Sequence, residues 1–386
     1  MPVKLVGPLT PSDEQYDDVT ALCNRVFRPD GWADMRAQYP LVLRRDKLSQ
    51  LRVLEEDGKP VSLVCTVEGR GALLGCDVRI ALVGLVCTGK EREGRGLAGT
   101  LMDDAIARAT ADGYGIMLIS GGRTLYTRRG SHYCGDFVKY AIDPARLPKA
   151  EGLAVTQLAP DRAEDAWTLL EAEPIRFRRT LDEYKKLLAT DWVVGYPGST
   201  WLVERAGRPV AVFSINHKRL ADPTRIEAFG VRETGGSRPA ALAALGELAR
   251  RFGTQKIEWD GQARDAALAD ACLAIGAGRR KAAHYGTVKL LSVERLMSQF
   301  KPLLRERLGG MAEGFVATSQ IEDGIVNRLT FELDGERLAV KGEVEALAAL
   351  FGSTELDPLA HARGRLADAL RRALPLPLPL YGLNYV

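Results

Sequence analysis

The stretch that decides the fold is VGLVCTGKEREGRGLAGTLMDDAIARATADG, residues 83–113. An apolar run leads into a loop of glycines and alternating charges, and an amphipathic segment follows. Leu97, Leu101, Ala105 and Ala109, with Ala98, Met102 and Ile106, share one face at helical spacing, so the helix begins inside Gly94-Arg95-Gly96-Leu97-Ala98-Gly99. The first N–H groups of a helix have no partners within it, and the positive end of its dipole lies beside them. Glycines at 94, 96 and 99 let an anion approach that backbone without a Cβ in the way. Two readings stand here: a phosphate cradle, and a strand-to-helix turn that is only tightly packed. The spacing is not G-x-G-x-x-G and no G-K-[ST] is present, which sets aside Rossmann and Walker loops.

The chain around this loop has 386 residues, too many for one ordinary core and suited to two or three domains. It is 46% hydrophobic and 27% charged, so a folded chain is expected, and a net charge of +3 is too mild to call for a nucleic acid partner. The opening MPVKLVGPLTPSDEQ has no apolar leader, and no run reaches the ~18 apolar residues of a membrane span. A cytoplasmic protein with no membrane partner is expected. The six cysteines form no CxxC pair, and the four histidines are isolated in sequence. Reduced thiols and no metal follow, and without G-x-S-x-G or H-E-x-x-H neither a serine hydrolase nor a zincin is indicated.

Strand and helix patterns alternate from Val3 to about Tyr140, including a hairpin at Asp57-Gly58, the apolar strand GIMLISG and a further strand DFVKYAI. A second unit then echoes the first: Gly207-Arg208-Pro209-Val210 mirrors Gly58-Lys59-Pro60-Val61 at a distance of 149 residues. A duplicated domain is the simplest account. In the second copy, EAFGVRETGGSRPAALAALGELARRFG repeats the loop and helix, but Pro239 falls where the first copy has Leu97 and brings no N–H, so this copy is the poorer anion cradle. After about Leu290, an amphipathic helix SVERLMSQFKPLLRERL, a hairpin at Asp334-Gly335, helices VEALAALFG and LAHARGRLADALRRAL, and an extended, apolar LPLPLPLYGLNYV form a small α+β unit. The expected domains are 1–150, 151–289 and 290–386.

One ordered series runs through the first unit: an apolar strand, Glu93 to Ala98, a helix, the strand GIMLIS, and Leu125-Tyr126-Thr127-Arg128-Arg129-Gly130. It closely resembles the acyl-CoA-binding core of the GNAT N-acetyltransferases, whose pyrophosphate loop reads Q/R-x-x-G-x-G/A. Glu93, Gly96 and Ala98 take the motif positions, Glu93 being a departure whose charge Lys90, Arg92 and Arg95 are placed to offset. The three-part order resembles the Eis-like (enhanced intracellular survival) branch. The implied fold class is α/β and α+β: two tandem GNAT-like domains, the second degenerate, and a C-terminal domain like sterol carrier proteins.

That resemblance implies an acetyl-CoA-dependent N-acetyltransferase acting on a primary amine of a small molecule, aminoglycoside-like or polyamine-like, in a homo-oligomer. Acetyl-CoA would lie between splayed strands, with Val86, Thr88 and Ser120 as contacts and Glu93, Gly94, Arg95, Gly96, Leu97, Ala98 and Gly99 around its pyrophosphate. Tyr126 would be the general acid, with Tyr133 as the fallback, and the α-carboxylate of Val386 the base. Alternatives stay open: Tyr126 as a core tyrosine, Val386 as the end of a sheet-closing strand, Arg128-Arg129 as an exposed turn rather than a site for the 3′-phosphate, and Asp103-Asp104 as a solvated face. The competing class is a GNAT scaffold without catalysis that binds CoA or an apolar ligand.

Overall fold

The computed structural model describes residues 4–218 and 225–386. The chain starts with β1 (Leu5–Leu9), α1 (Tyr16–Phe27), a short α2 (Met35–Gln38) and the antiparallel strands β2 (Leu51–Glu56), β3 (Lys59–Leu73) and β4 (Cys76–Thr88). Helix α3 (Leu97–Ala111) returns it to β5 (Ile116–Ile119), parallel to β4, and α4 (Thr124–Thr127) and β6 (Phe137–Ile142) follow. Next come β7 (Leu153–Gln157), α5 (Ala163–Glu171), β8 (Ile175–Phe177), α6 (Leu181–Leu188), β9 (Trp192–Val193), β10 (Tyr196–Arg205), β11 (Arg208–His217) and β12 (Ala228–Gly236). Helix α7 (Arg238–Phe252) leads to β13 (Lys256–Gln262), parallel to β12, then α8 (Ala266–Ala274), β14 (Gly278–Ala282) and β15 (Thr287–Leu290). The last part holds α9 (Val293–Gln299), α10 (Lys301–Leu308), β16 (Val316–Glu322), β17 (Ile325–Leu333), β18 (Glu336–Lys341), α11 (Glu343–Phe351) and α12 (Gly364–Ala373).

Two mixed sheets result, in the orders β1-β2-β3-β4-β5-β15 and β14-β6-β13-β12-β11-β10-β7. Both units turn their first hairpin on a pair of positive-φ residues, Asp57-Gly58 (51°, 74°) and Ala206-Gly207 (48°, 73°), the turn whose twist matches that of the strands. Both also run strand, glycine loop, helix, parallel strand. The periodicity read for α3 holds, since Leu97, Leu101, Met102, Ala105 and Ala109 are buried against Val83, Val86, Met117 and Ile119.

The two sheets exchange strands. DFVKYAI, expected to complete the first sheet, is β6 and pairs with β13 and β14 in the second. In return β15, from beyond the second unit, pairs with β5 in the first, and His132 bridges to Val288 beside it. A four-residue buried strand such as β15 carries no register information of its own, so its partner is chosen by the space left at the edge of β5.

Strands β16, β17 and β18 form a third sheet, of which the sequence showed only the last two. The single amphipathic helix expected from Ser292 to Leu308 is two, α9 and α10, broken at Phe300 ahead of Pro302, and helix forms only from Gly364 in LAHARGRLADALRRAL. The proline-rich tail is extended and buried through Leu374, Leu376, Leu378, Tyr381 and Leu383, ending in one helical turn, Gly382–Asn384. It crosses the second unit, where Gln262 Nε2 donates to Leu378 O (2.8 Å) and His284 Nε2 donates to Pro379 O (3.1 Å). All six cysteines are free and buried. Among the described residues no helix is long and apolar enough to cross a membrane.

Candidate active site

A notch opens between β4 and β5. Their parallel pairing runs from Ile80↔Ile116 to Val83↔Ile119 and stops there, with Ser120 N donating to Val83 O (3.0 Å) as the last bond. Beyond it β4 continues along β3 alone, and the register of that pair shifts between Leu63 and Cys65 where Leu85 adopts φ 51°. This is a β-bulge, which bends the strand and re-aims its backbone. From Gly84 to Thr88 the side of β4 away from β3 therefore has no paired strand. Of the expected contacts, Val86 is buried in the apolar cluster under α3, Thr88 Oγ1 lies 2.8 Å from Ser62 Oγ, and Ser120 Oγ donates back to Val83 O (3.3 Å).

At the outer end of the notch, α3 starts from Gly96 with no side-chain cap. Gly94 (φ 77°) and Gly96 (φ 78°) are both left-handed, a conformation that favours glycine, and a Cβ on either would meet nothing. Among the described residues, none of the amides from Gly94 to Gly99 has an acceptor in the chain, the first bond of the helix being Thr100 N to Gly96 O (3.1 Å). This is an unoccluded row of donors at a positive helix end. Leu97 is buried below it, Ala98 and Gly99 are partly exposed, and Glu93 and Arg95 are exposed.

The charges around the loop differ from expectation. Arg92 and Arg95 (2.6 Å) both bind the buried carboxylate of Glu56 at the end of β2, and Arg92, followed by Arg95, holds that carboxyl below its usual range. They anchor the loop and do not offset Glu93, which forms no ion pair among the described residues. Arg129 reaches over Gly99, where a Cβ would stand 2.9 Å from its Nη2, and forks onto Asp103 (2.6 and 2.9 Å). Asp104 binds Arg52 of β2 (2.7 Å), so both acids tether α3, while the Asp103 side chain remains 64% exposed as on a solvated face.

The chain terminus comes to the inner end of this notch. Val386 is 7% exposed, and a Cβ built on Gly84 would overlap its carboxyl group, with Val386 Cα 3.2 Å away. No lysine, arginine or histidine lies within ion-pair reach of that carboxylate among the described residues. Leu383 N donates to Glu233 (3.3 Å), and Glu233 in turn grips Arg179, whose side chain is 2% exposed. Burial pulls the guanidinium pKa down, but the charge and hydrogen bond of Glu233, with Tyr184 and Glu171, together keep it above its ordinary value. Tyr385 Oη donates to Ser120 O (3.3 Å), closing the tail onto the end of β5. Gly84, Arg179, Glu233 and Tyr385 were not singled out in the sequence. Gly84 was the available signal, because glycine inside an apolar strand marks a bulge or a close approach.

Tyr126 lies on α4, 5% exposed, with its ring edge over Gly121 next to the end of β5 and its phenol pushed above the usual range by burial. Tyr133 is exposed with its hydroxyl over Gly122. His132 faces the fields of Lys289 and Glu345, and burial first, then Lys289, lower its pKa. A cleft of about 870 Å³ has Tyr39, Arg44, Glu68, Arg179, Tyr385 and Val386 in its wall, so the last residue of the chain lines it.

In the second unit the equivalent cradle is filled from within. Glu173 accepts Gly236 N (2.9 Å) and both ends of the Arg238 guanidinium (2.9 and 2.6 Å), while Ser237 caps the helix that holds Pro239 in its first turn. A carboxylate of the protein sits where an external anion would.

Residues 9–134 match the family model described as an acetyltransferase (GNAT) domain. The whole chain is similar in fold to a GCN5-related N-acetyltransferase from Kribbella flavida (17% identity, TM-score 0.61, covering 100% of both chains). It is also similar to a conserved protein of Enterococcus faecalis V583 described as a probable N-acyltransferase (13%, TM-score 0.62, covering 98% of both). Eis1 from Mycobacterium abscessus is a third likeness (14%, TM-score 0.59, covering 98% of this chain and 99% of that one). No curated protein matches the sequence. The chain therefore carries a GNAT acetyltransferase domain over residues 9–134, set in a fold that solved acetyltransferases share along their length.

Proposed function

We propose that the chain transfers an acetyl group from acetyl-CoA to a primary amine of a small molecule by direct attack of the amine on the thioester. The observation that carries this reading is the meeting of Val386 with Gly84 at the junction of notch and cleft. Acetyl-CoA entering along the notch and an amine entering through the cleft would come together at the terminal carboxylate. Open backbone groups of Gly84 to Thr88 suit the pantetheine arm, and the free amides of Gly94 to Gly99 suit the pyrophosphate.

The Val386 carboxylate, with no cation within ion-pair reach among the described residues, takes a proton from the substrate ammonium, and the free amine then attacks. A backbone N–H near Val86 steadies the oxyanion as the tetrahedral centre forms. The departing thiolate takes a proton from Tyr126, whose burial keeps it protonated at neutral pH. The third domain, read as sterol-carrier-like, serves to launch the tail that delivers Val386.

Arg44, Lys47, Arg70, Arg178, Arg179 and Lys186 are balanced in the cleft by Asp46, Glu68, Glu171, Asp182, Glu183 and the terminus. A monoamine with other polar groups fits this balance better than a polycation. The test is acetyl-CoA consumption against an amine panel that includes aminoglycosides and polyamines. Turnover with one class supports the reading, and no thermal shift with acetyl-CoA at millimolar concentration overturns it.

A further inference from the structure

The second unit repeats the notch as well as the loop. Strands β12 and β13 pair in parallel from Ala228↔Lys256 to Val231↔Trp259 and then part. Between their ends lies a cavity of about 460 Å³, within the range that holds small ligands. Its phosphate cradle is closed by Glu173, so coenzyme A has no place for its pyrophosphate here.

What lines this cavity differs from the first notch. Phe177, Trp259, Leu268 and Leu380 supply an apolar interior. Every acid on its wall already has a cation: Glu173 and Asp265 bind Arg238, Asp260 binds Arg232, and Glu233 binds Arg179. Two guanidiniums on the wall, Arg264 and Arg307, meet no carboxylate within 4 Å among the described residues, and each donates to one backbone carbonyl, Pro375 O (2.8 Å) and Ala373 O (3.1 Å). A guanidinium has five N–H donors, so both retain capacity for an anion.

We propose that this cavity is a second binding site, for a carboxylate with an apolar tail, its head held by Arg264 and Arg307 and its tail by Trp259 and Leu268. Burial first, then the neighbouring Arg307, pull the Arg264 pKa down and outweigh the opposing field of Asp136, and a bound carboxylate relieves the like-charge repulsion. The site adjoins the catalytic tail, because Leu380 forms part of its wall and Glu233 forms part of its wall while holding Leu383 N. An occupied cavity braces the segment that carries Val386.

The test is calorimetric titration of the full chain with octanoate, with octanol and inorganic phosphate in parallel, and with octanoate again at saturating CoA. One octanoate should bind per chain with affinity unchanged by CoA, and octanol and phosphate should bind at least about tenfold more weakly, the loss expected when charge-assisted hydrogen bonds or apolar contacts are missing. The double variant Arg264→Gln, Arg307→Gln should weaken octanoate by about tenfold or more and leave CoA binding unchanged. Displacement of octanoate by CoA would assign it to the first notch and overturn the proposal. Equal binding of octanol or of phosphate, or no binding of octanoate at millimolar concentration, would overturn it on the wild-type protein alone, whatever the double variant does.

Discussion

Val386 ends the chain directly on Gly84, so closely that the glycine has no room for a Cβ. One residue closes the sequence and the other lies at the bulge of β4, yet together they mark the place where notch and cleft join.

Gly84→Ala should push the terminus away from the notch. Turnover is expected to fall by roughly 10²-fold, the scale of a lost general base, with acetyl-CoA binding changed far less. A chain extended beyond Val386 should show the same pattern. Full activity in the extended chain would falsify the role of the terminal carboxylate.

Tyr126→Phe is expected to lower kcat by roughly 10²-fold and leave the Kd of CoA within about twofold. Burial holds the phenol above the ordinary tyrosine range, so any alkaline loss of the wild-type rate due to this acid should have its midpoint above the ordinary tyrosine value. Parallel loss of rate and CoA affinity would make Tyr126 a structural residue.

Glu93→Gln removes an exposed charge beside the free amides. The KM for acetyl-CoA should fall by roughly 1.4- to fivefold at low salt, in line with the ~0.2–1 kcal/mol of exposed charge interactions, and the gain should shrink as salt is added. An unchanged KM at low salt would show that Glu93 faces away from the cofactor.

His284 ties the tail to the body of the protein as a neutral ring, and burial lowers its pKa from 6.5 to about 4. A depressed histidine pKa stabilises the fold above the unfolded value, and that contribution is lost as pH falls from 6.5 toward 4. The loss amounts to about 3 kcal/mol at 1.36 kcal/mol per unit. Melting temperatures of wild type and His284→Gln should diverge at neutral pH and converge near pH 4, and parallel curves would sink this account.

Glu173→Ala should destabilise the second unit by about 2–4 kcal/mol, since it strips Arg238, 11% exposed in its side chain, of one of two carboxylates. Denaturant melts measure this. Inorganic phosphate should recover part of the loss by entering the vacated cradle, and a neutral osmolyte should not do so to the same extent.

The start of α3 was legible from the spacing of Leu97, Leu101 and Ala105, and the two hairpins from Gly58 and Gly207, because helix period and turn chemistry are local properties. The break between α9 and α10 was missed although Pro302 was visible, because proline is tolerated in the first turn of a new helix. Arg92 and Arg95 were read as neighbours of Glu93, when their partner Glu56 lies far away in sequence on β2.

By itself the sequence determined which segments are strands and helices around the glycine loop, that this layout is repeated, and that the tail is too apolar to lie free. Only the tertiary structure decided that β6 and β15 trade sheets, that Glu173 fills the second cradle, and that Val386 arrives at Gly84. The physical reason is range. Periodicity and turn residues act within a few positions, whereas strand partners, ion pairs and the path of a tail depend on which surfaces remain open once everything else has packed.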